Sequence, residues 1–134
     1  MAQRICVTGA SGLAGRAVVR ELAEHAYDVA ATDIVVHDYE MLRADLTDYG
    51  QAVEVLRGAD AVVHLANIPA PGLATPPVTF NANITMNFNV FQAATALKLS
   101  VYTVDAHRGR IMEKLNLHSV GELVRFAVRN GLVD

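Results

Sequence analysis

One stretch of the sequence decides the fold, Thr8-Gly9-Ala10-Ser11-Gly12-Leu13-Ala14-Gly15. It follows an apolar, β-branched run at 4–8, which is typical of a buried parallel strand, and it opens a segment at 13–25 with apolar residues at helical spacing. Gly9 allows the tight turn out of the strand, Gly12 lets a pyrophosphate approach the backbone, and Gly15 permits close packing of helix on strand. Because a helix N-terminus presents free N–H groups, the turn predicts a dinucleotide site rather than a plain strand–turn–helix corner.

The next predicted strand spans 27–34 and has a carboxylate, Asp33, at its carboxyl end. Asp33 lies 18 residues beyond Gly15, close to the interval of about 20 at which a carboxylate binds the adenosine ribose. Such a group accepts hydrogen bonds from both ribose hydroxyls and repels a 2′-phosphate. Since residues 34–37 contain no arginine to neutralise that phosphate, the pattern predicts NAD in preference to NADP.

Strands and helices go on alternating beyond Asp33. The sequence predicts a short strand near 41–46, a helix from a Thr47 or Asp48 cap to about 57, a strand at 59–66, a loop with four prolines at 67–77, and a helix at 78–99. This alternation predicts an α/β fold, a three-layer Rossmann-like parallel sheet in the order 3-2-1-4. Residues 101–104 are either a fifth strand or the start of a helix.

Two further helices are expected to close the chain, at 111–115 and 120–128. Ser119 is a good N-cap, with Glu122 completing a capping box, and Gly131 is placed to end the last helix.

Residues 3–98 resemble the N-terminal half of an extended short-chain dehydrogenase of the NAD-dependent epimerase/dehydratase type. Five matches in order carry the resemblance: the glycine turn, Asp33, Ala44-Asp45-Leu46, His64-Leu65-Ala66, and Asn83-Ile84-Thr85-Met86-Asn87-Phe88-Asn89-Val90. It implies that Asp45 and Leu46 contact the adenine, that the backbone around Leu65 and Ala66 lines the cofactor, and that Asn83 supports the sheet and the site. From the residues alone, Asp45 could simply end a strand, His64 could be a core histidine, and Asn83 could face solvent.

The expected cofactor site combines the glycine turn with the segments that the resemblance adds. Its residues are Gly9, Ser11, Gly12, Leu13, Ala14, Gly15, Asp33, Ile34, Asp45, Leu46, Leu65, Ala66 and Asn67.

The acid/base pair of that family, a tyrosine with a lysine four residues later, does not occur in this sequence. The four tyrosines, Tyr27, Tyr39, Tyr49 and Tyr102, are followed at that distance by Ala31, Arg43, Val53 and Ala106. Loss of such a pair removes a factor of about 10² to 10⁴ from proton transfer. The family's substrate domain has no counterpart either, so we expect no catalytic residues, no metal site and no full turnover.

Residues 100–133 resemble the last two helices of a LuxR/FixJ-type response-regulator DNA-binding domain. The match is carried by His107-Arg108-x-Arg110-Ile111-Met112-x-Lys114-Leu115 and by Glu122-Leu123-Val124-Arg125. It implies that Thr103, His107, Arg108 and Lys114 face DNA, although they could also cover a sheet or face solvent. Because the two helices that precede recognition in that family are not expected here, DNA binding should be weak.

Two unrelated halves in one short chain predict an artificial or recombined chimera. We expect one domain over 1–134, in which the tail packs on the dehydrogenase-derived part. The apolar positions Val120, Leu123, Val124 and Ala127 could pack there or in a homodimer.

The bulk composition is that of a soluble globular protein. The net charge is −3, and the sequence shows no membrane-spanning stretch and no signal peptide. The single cysteine, Cys6, lies in an apolar run and is expected to be a small buried hydrophobe. These features favour the cytoplasm. Beside an NAD-binding chimera, an NAD-responsive DNA-binding regulator and a folding scaffold that has lost the cofactor stay open.

Overall fold

The computed structural model describes residues 1–101 and 104–132, with the backbone alone at 100–108. The chain forms two compact units, Met1–Val101 and Tyr102–Asp134. No helix in the described ranges is both long enough and apolar enough to cross a membrane.

The first unit is a parallel sheet with helices on both faces. Its elements are β1 (Arg4–Thr8), α1 (Leu13–Glu24), β2 (Asp28–Asp33), β3 (Leu42–Arg43), α2 (Tyr49–Leu56), β4 (Ala61–His64), α3 (Pro76–Ala96) and β5 (Ser100–Val101). The strand order is β3-β2-β1-β4-β5. The predicted Rossmann-like order 3-2-1-4 is therefore confirmed, and a fifth strand adds to it beside β4.

Two predicted strands have different bounds in the structure. The third strand keeps only two residues of the predicted 41–46, although Ala44 and Leu46 beyond its end are still buried in the core. The fifth strand is Ser100–Val101 rather than 101–104. Val104 already begins a helix, while 102 and 103 lie outside the described residues.

The central strand explains why the sheet is parallel and buried. β1 pairs with β2 on one side and β4 on the other, so that Thr8 stands level with Thr32 and His64. Four of its five residues are buried, as a continuous apolar run predicts. Since parallel strands end at one edge, these three residues mark the edge where a ligand site is expected.

Each face of the sheet has its own core. Cys6, Val62, Leu56 and Val90 belong to the core that α2 and α3 cover, whereas the core on the α1 face contains Ile5 and Val7. Burial raises the pKa of Cys6 to about 12, with only a small opposing effect of Arg4. The thiol therefore stays protonated and acts as a buried hydrophobe.

A buried amide joins α3 to the loop that follows β3. The side chain of Asn89 is buried, and its Nδ2 donates to the backbone oxygen of Leu46 at 2.9 Å. This bond satisfies a polar group that would otherwise be costly inside the core, and it holds Leu46 beside the edge of the sheet.

The second unit contains the helices α4 (Val104–Lys114) and α5 (Val120–Arg129). The predicted cap is present, since Ser119 Oγ accepts from the N–H of Glu122 at 3.2 Å. The Glu122 carboxylate accepts from the N–H of His118, and this bond lowers the pKa of Glu122. Gly131, at φ +65°, follows the last helix as predicted. Packing of this unit on the first one stays a prediction.

Truncation of Leu56 should show how much the core between α2 and α3 contributes to stability. Leu56 is fully buried, so Leu56→Ala should lower the free energy of unfolding by about 2 to 5 kcal/mol in urea denaturation followed by circular dichroism. The matched control is Leu73→Ala, at a residue 66% exposed, which should change it by less than about 0.5 kcal/mol. Equal effects of the two substitutions would contradict this packing.

Candidate functional site

A cleft of about 550 Å³ lies at the carboxyl edge of the sheet; we call it the edge cleft. Twelve of the thirteen predicted cofactor residues line it, namely Gly9, Gly12, Leu13, Ala14, Gly15, Asp33, Ile34, Asp45, Leu46, Leu65, Ala66 and Asn67. Six more residues line it that the sequence did not single out as cofactor contacts: Ala44, Thr47, Ile68, Pro69, Ala82 and Met86. The predicted set thus comes together in space, except for Ser11.

The glycine turn is shaped by close contacts between backbone segments. Gly9 has φ +68°, and a Cβ added to it would lie 2.7 Å from the backbone nitrogen of Ala66. A Cβ on Gly15 would lie 2.0 Å from the carbonyl oxygen of Gly9. At Gly12 the nearest atom would be 3.4 Å away. Gly9 and Gly15 therefore allow the turn to form, whereas Gly12 keeps the surface open toward the cleft.

The N-terminus of α1 faces that open surface. Gly12 is its N-cap, and no side chain caps the helix. Leu13 is 93% exposed, although it is large and apolar. Because the first N–H groups of a helix have no partner within the helix, this end can bind an anion.

Asp33 is held in place by two backbone N–H groups. Its Oδ2 accepts from the N–H of Ser11 at 2.9 Å, and its Oδ1 accepts from the N–H of Ile34 at 2.7 Å. Each carboxylate oxygen keeps a further lone pair for a ligand hydroxyl. Ser11 was predicted as a cofactor contact, but it lies behind Asp33, where its hydroxyl donates to the backbone oxygen of Val35.

Asp45 closes a turn in addition to lining the cleft. Its Oδ1 accepts from the hydroxyl and the N–H of Thr47, at 2.6 and 3.0 Å, and these bonds lower the pKa of Asp45. Its own N–H donates to Oε1 of Gln51 at 2.8 Å. β3 stops at Arg43, so Asp45 lies in the turn beyond the strand rather than at the end of the strand.

A chain of hydrogen bonds runs beneath the cleft from β1 to α3. Thr8 Oγ1 accepts from the N–H groups of Leu65 and Ala66, at 3.1 and 3.2 Å, and lies 2.7 Å from Nδ1 of His64. With both lone pairs occupied, the hydroxyl donates its proton to Nδ1. Nε2 therefore carries the hydrogen of a neutral ring and donates to Oδ1 of Asn87 at 2.8 Å. His64 thus acts as a structural link rather than as a group facing a ligand.

Asn83 locks the proline-rich loop to α3. Its Oδ1 accepts from the N–H of Ile68 at 2.7 Å, and its Nδ2 donates to the oxygen of the same residue at 3.2 Å. The alternative that Asn83 faces solvent is therefore wrong. The spacing of Asn83 and Asn87, four apart on one helix face, is a signal that could have indicated this role.

No group of three or more His, Cys, Asp or Glu side chains that could hold a metal occurs within the described ranges.

Substitutions of two glycines should separate the turn's two roles. Gly15→Ala must displace backbone atoms of Gly9 and Ala10. We therefore expect it to lower the free energy of unfolding by at least the overpacking cost of about 1 to 3 kcal/mol. Gly12→Ala meets only ordinary contacts and should leave the melting temperature within a few degrees of the parent, that is within about 1 kcal/mol. Thermal denaturation measures both, and a Gly15→Ala protein as stable as the parent would rule out the close approach.

Protonation of His64 should destabilise the fold. Burial lowers the pKa of His64 below its ordinary value of 6.5, against a smaller opposing effect of the bond to Asn87. The unfolded chain therefore binds more protons below pH 6.5 than the folded chain does, and stability should fall as the pH falls from 6.5 toward the lowered value. A protonated Nδ1 would also lose its hydrogen bond to Thr8, because both lone pairs of the Thr8 oxygen already accept from the N–H groups of Leu65 and Ala66.

Urea midpoints measured between about pH 7 and pH 5 test this slope. His64→Gln should remove much of it, while His25→Gln, on the exposed end of α1, should leave it in place. The same slope in the His64→Gln protein would contradict the assignment.

Two family models match the chain. The model of the NAD dependent epimerase/dehydratase family matches residues 5–106, and that of the luxR family of bacterial regulatory proteins matches 86–127. The second match begins inside α3, so the luxR-like segment starts earlier than the predicted residue 100. Residues 86–106 belong to both matches.

Relatives of both kinds are known. L-arabinose 1-dehydrogenase (NAD(P)(+)) of Haloferax volcanii is 40% identical over 96 residues, which are 69% of this chain and 36% of that protein. Oxygen regulatory protein NreC of Staphylococcus carnosus is 49% identical over 43 residues, 32% of this chain and 20% of that protein.

A solved structure agrees with the fold. A mutant of uronate dehydrogenase from Agrobacterium tumefaciens, complexed with NAD, has a TM-score of 0.64 and 29% identity over 72% of this chain. The chain spans 37% of that protein and 36% of the arabinose dehydrogenase, little more than a third of each. With a family model that matches most of its length, the chain belongs to the NAD dependent epimerase/dehydratase family, as a chimera with a luxR-family segment.

Proposed function

We propose that the chain binds NAD in the edge cleft and that residues 1–134 do not turn over a substrate. The observation that carries the proposal is the fixed carboxylate of Asp33 beside the open N-terminus of α1. In this arrangement the pyrophosphate lies on the N–H groups after Gly12, and the adenosine ribose donates its hydroxyls to Asp33. The cleft, at about 550 Å³, has the size of a small-molecule site.

The remaining lining residues suit the two ends of the dinucleotide. Asp45 and Leu46 lie beside the adenine, and the backbone at Leu65, Ala66 and Asn67 lies beside the rest of the cofactor. The uronate dehydrogenase of similar fold is complexed with NAD, which supports NAD as the ligand. The negative charge of Asp33 favours NAD over NADP.

The residues of the chain do not support catalysis. No tyrosine in the 134 residues is followed four positions later by a lysine, and the two lysines are Lys98 and Lys114. Within the described part of the chain, neither a tyrosine nor a lysine lines the edge cleft. A bound cofactor would therefore lack the group that moves a proton together with its hydride.

A DNA-binding regulator is the second candidate, favoured by the luxR-family match at 86–127. In a helix-turn-helix the first helix packs on the recognition helix. That match begins in α3, whose residues Val90, Ala93 and Ala94 are already buried in the core of the Rossmann-like unit. These side chains form part of a Rossmann-like core instead of a helix-turn-helix core, which disfavours the regulator.

Calorimetric titration with NAD tests the proposal. The parent protein should bind NAD, and Asp33→Asn should weaken binding by at least about tenfold, because a hydrogen bond to a charged group contributes about 1.5 to 3 kcal/mol. The matched control is Asp28→Asn, at the other end of β2, where the carboxylate forms an exposed ion pair with Arg4. Gly12→Val should abolish binding, since its side chain would occupy the phosphate surface.

Two outcomes would exclude NAD binding as proposed. Absence of heat in the parent protein would leave the folding scaffold or the regulator, and salt-dependent binding of duplex DNA would then identify the regulator. Equal affinities of the Asp33→Asn and Asp28→Asn proteins would remove Asp33 from the site.

A further inference from the structure

The segment at 65–68 lines one side of the edge cleft and is tied to α3 at two points. Asn83 holds Ile68 through both the N–H and the oxygen of its backbone. One helical turn further on, Asn87 accepts from Nε2 of His64 at 2.8 Å. His64 lies beneath the cleft and not in its lining, so it can affect a ligand only through its neighbours.

The neighbour that connects His64 to the cleft is Thr8. Thr8 is fully buried, and its hydroxyl donates to Nδ1 of His64 over 2.7 Å. This bond fixes the rotation of the hydroxyl and leaves its two lone pairs for the N–H groups of Leu65 and Ala66, 3.1 and 3.2 Å away. Leu65 and Ala66 both line the edge cleft. A change in the Thr8 hydroxyl therefore acts directly on the backbone that a ligand would touch.

A protonated His64 ring cannot take part in this arrangement. With a hydrogen on Nδ1, the ring offers no acceptor to the Thr8 hydroxyl and becomes a third donor toward an oxygen with two lone pairs. The oxygen must then give up one of the two backbone N–H groups at 65–66. The bond to Asn87 persists, because Nε2 carries a hydrogen in both states of the ring. Protonation therefore disturbs the side of the ring that supports the cleft.

The groups that face the His64 ring carry no charge. Thr8 faces it from β1, and Asn87 and Phe91 face it from α3, with the Phe91 ring edge-on at 6.0 Å between centroids. The two residues of β5, a serine and a valine, do not titrate near neutral pH. Among the residues that the structure describes, no charged side chain acts on the pKa of His64, which burial lowers. The ring itself is therefore the group through which protons act on this part of the cleft.

We propose that His64 is a positioning residue for the cofactor: its neutral ring orients the Thr8 hydroxyl, which holds the Leu65–Ala66 backbone in the conformation that binds NAD. This inference rests on the proposed binding of NAD in the edge cleft, and it adds a proton-linked control of that binding. If protonation of His64 weakens NAD, thermodynamic reciprocity requires that NAD lowers the pKa of His64 by the same coupling. NAD binding should therefore release protons wherever His64 is partly charged.

Calorimetric titration of the full chain with NAD between about pH 7.5 and about pH 5 tests this coupling, with circular dichroism to check the fold at each pH. The dissociation constant should rise by about fivefold or more as the pH falls, the lower end of typical coupling between sites. One proton limits the rise to about tenfold per pH unit. Proton NMR of the His64 ring should show a lower pKa with NAD than without it.

Variants at His64 and Thr8 separate positioning from packing. H64L offers no acceptor to the Thr8 hydroxyl and should weaken NAD by about fivefold or more at every pH. H64N does not titrate but can place an amide oxygen near the position of Nδ1, so it should recover most of that affinity and lose the pH dependence. T8V removes the shared oxygen, and H64L should then weaken NAD by less than about twofold further, because His64 acts through Thr8.

Three further variants serve as controls for the pH dependence. H25Q changes an exposed histidine at the end of α1, and H37Q changes one in the loop between β2 and β3. Both should keep the slope of the parent. Asp33→Asn should weaken NAD yet keep the slope, because Asp33 binds the ribose and not the backbone at 65–66.

The possible failures are distinguishable. NAD binding that does not change with pH in the parent overturns the role of His64 alone. A slope that H64N retains, a slope that H37Q removes, or additive effects of H64L and T8V also overturn it. Failure of the folded parent to bind NAD at about pH 7.5 overturns it together with the proposed function.

Discussion

The close approach of three backbone segments at Gly9 is the constraint on which the rest of the site depends. The Cα of Gly9 lies against the backbone of Leu65 and Ala66, and Gly15 lies against the carbonyl of Gly9. No residue with a Cβ fits at either glycine without displacing main-chain atoms. This contact brings the ends of β1 and β4 to the N-terminus of α1. It also places Thr8 where its hydroxyl can accept from the N–H groups of Leu65 and Ala66.

The outer part of the site is built on this frame by side chains that bind backbone atoms. Asp33 is bound by the N–H groups of Ser11 and Ile34, and Asn83 holds the loop at Ile68. Asn89 holds the backbone at Leu46 from inside the core. The edge cleft is thus preorganised by polar contacts, and all of them except the bond from Ile34 to Asp33 join residues far apart in sequence. This preorganisation reduces the entropy cost of ordering a ligand there.

The helix α3 shows how two sequence families can meet within one element. The epimerase/dehydratase match and the luxR match overlap at 86–106, a range that contains the apolar residues Val90, Ala93 and Ala94. In this structure they pack with Leu56 and Val62. Beyond α3 the chain pairs as β5 with β4, at the position that the next strand of a Rossmann fold takes. An apolar pattern specifies that a face is buried, but not which partner buries it.

The sequence by itself determined the strand–turn–helix at 4–24, the carboxylate at Asp33 and the cap at Ser119, because each depends on residues close together along the chain. It also determined the strand order, because that order follows from the alternation of strands and helices. The tertiary structure decided the rest. Ser11 lies behind Asp33, His64 links β4 to α3, Asn83 holds a loop, and the fifth strand is shorter than predicted. The three side-chain roles depend on hydrogen bonds between residues 15 to 23 positions apart. The fifth strand depends on pairing with β4 at the edge of the sheet. Since such distances carry no periodic signal, only the folded backbone reveals them.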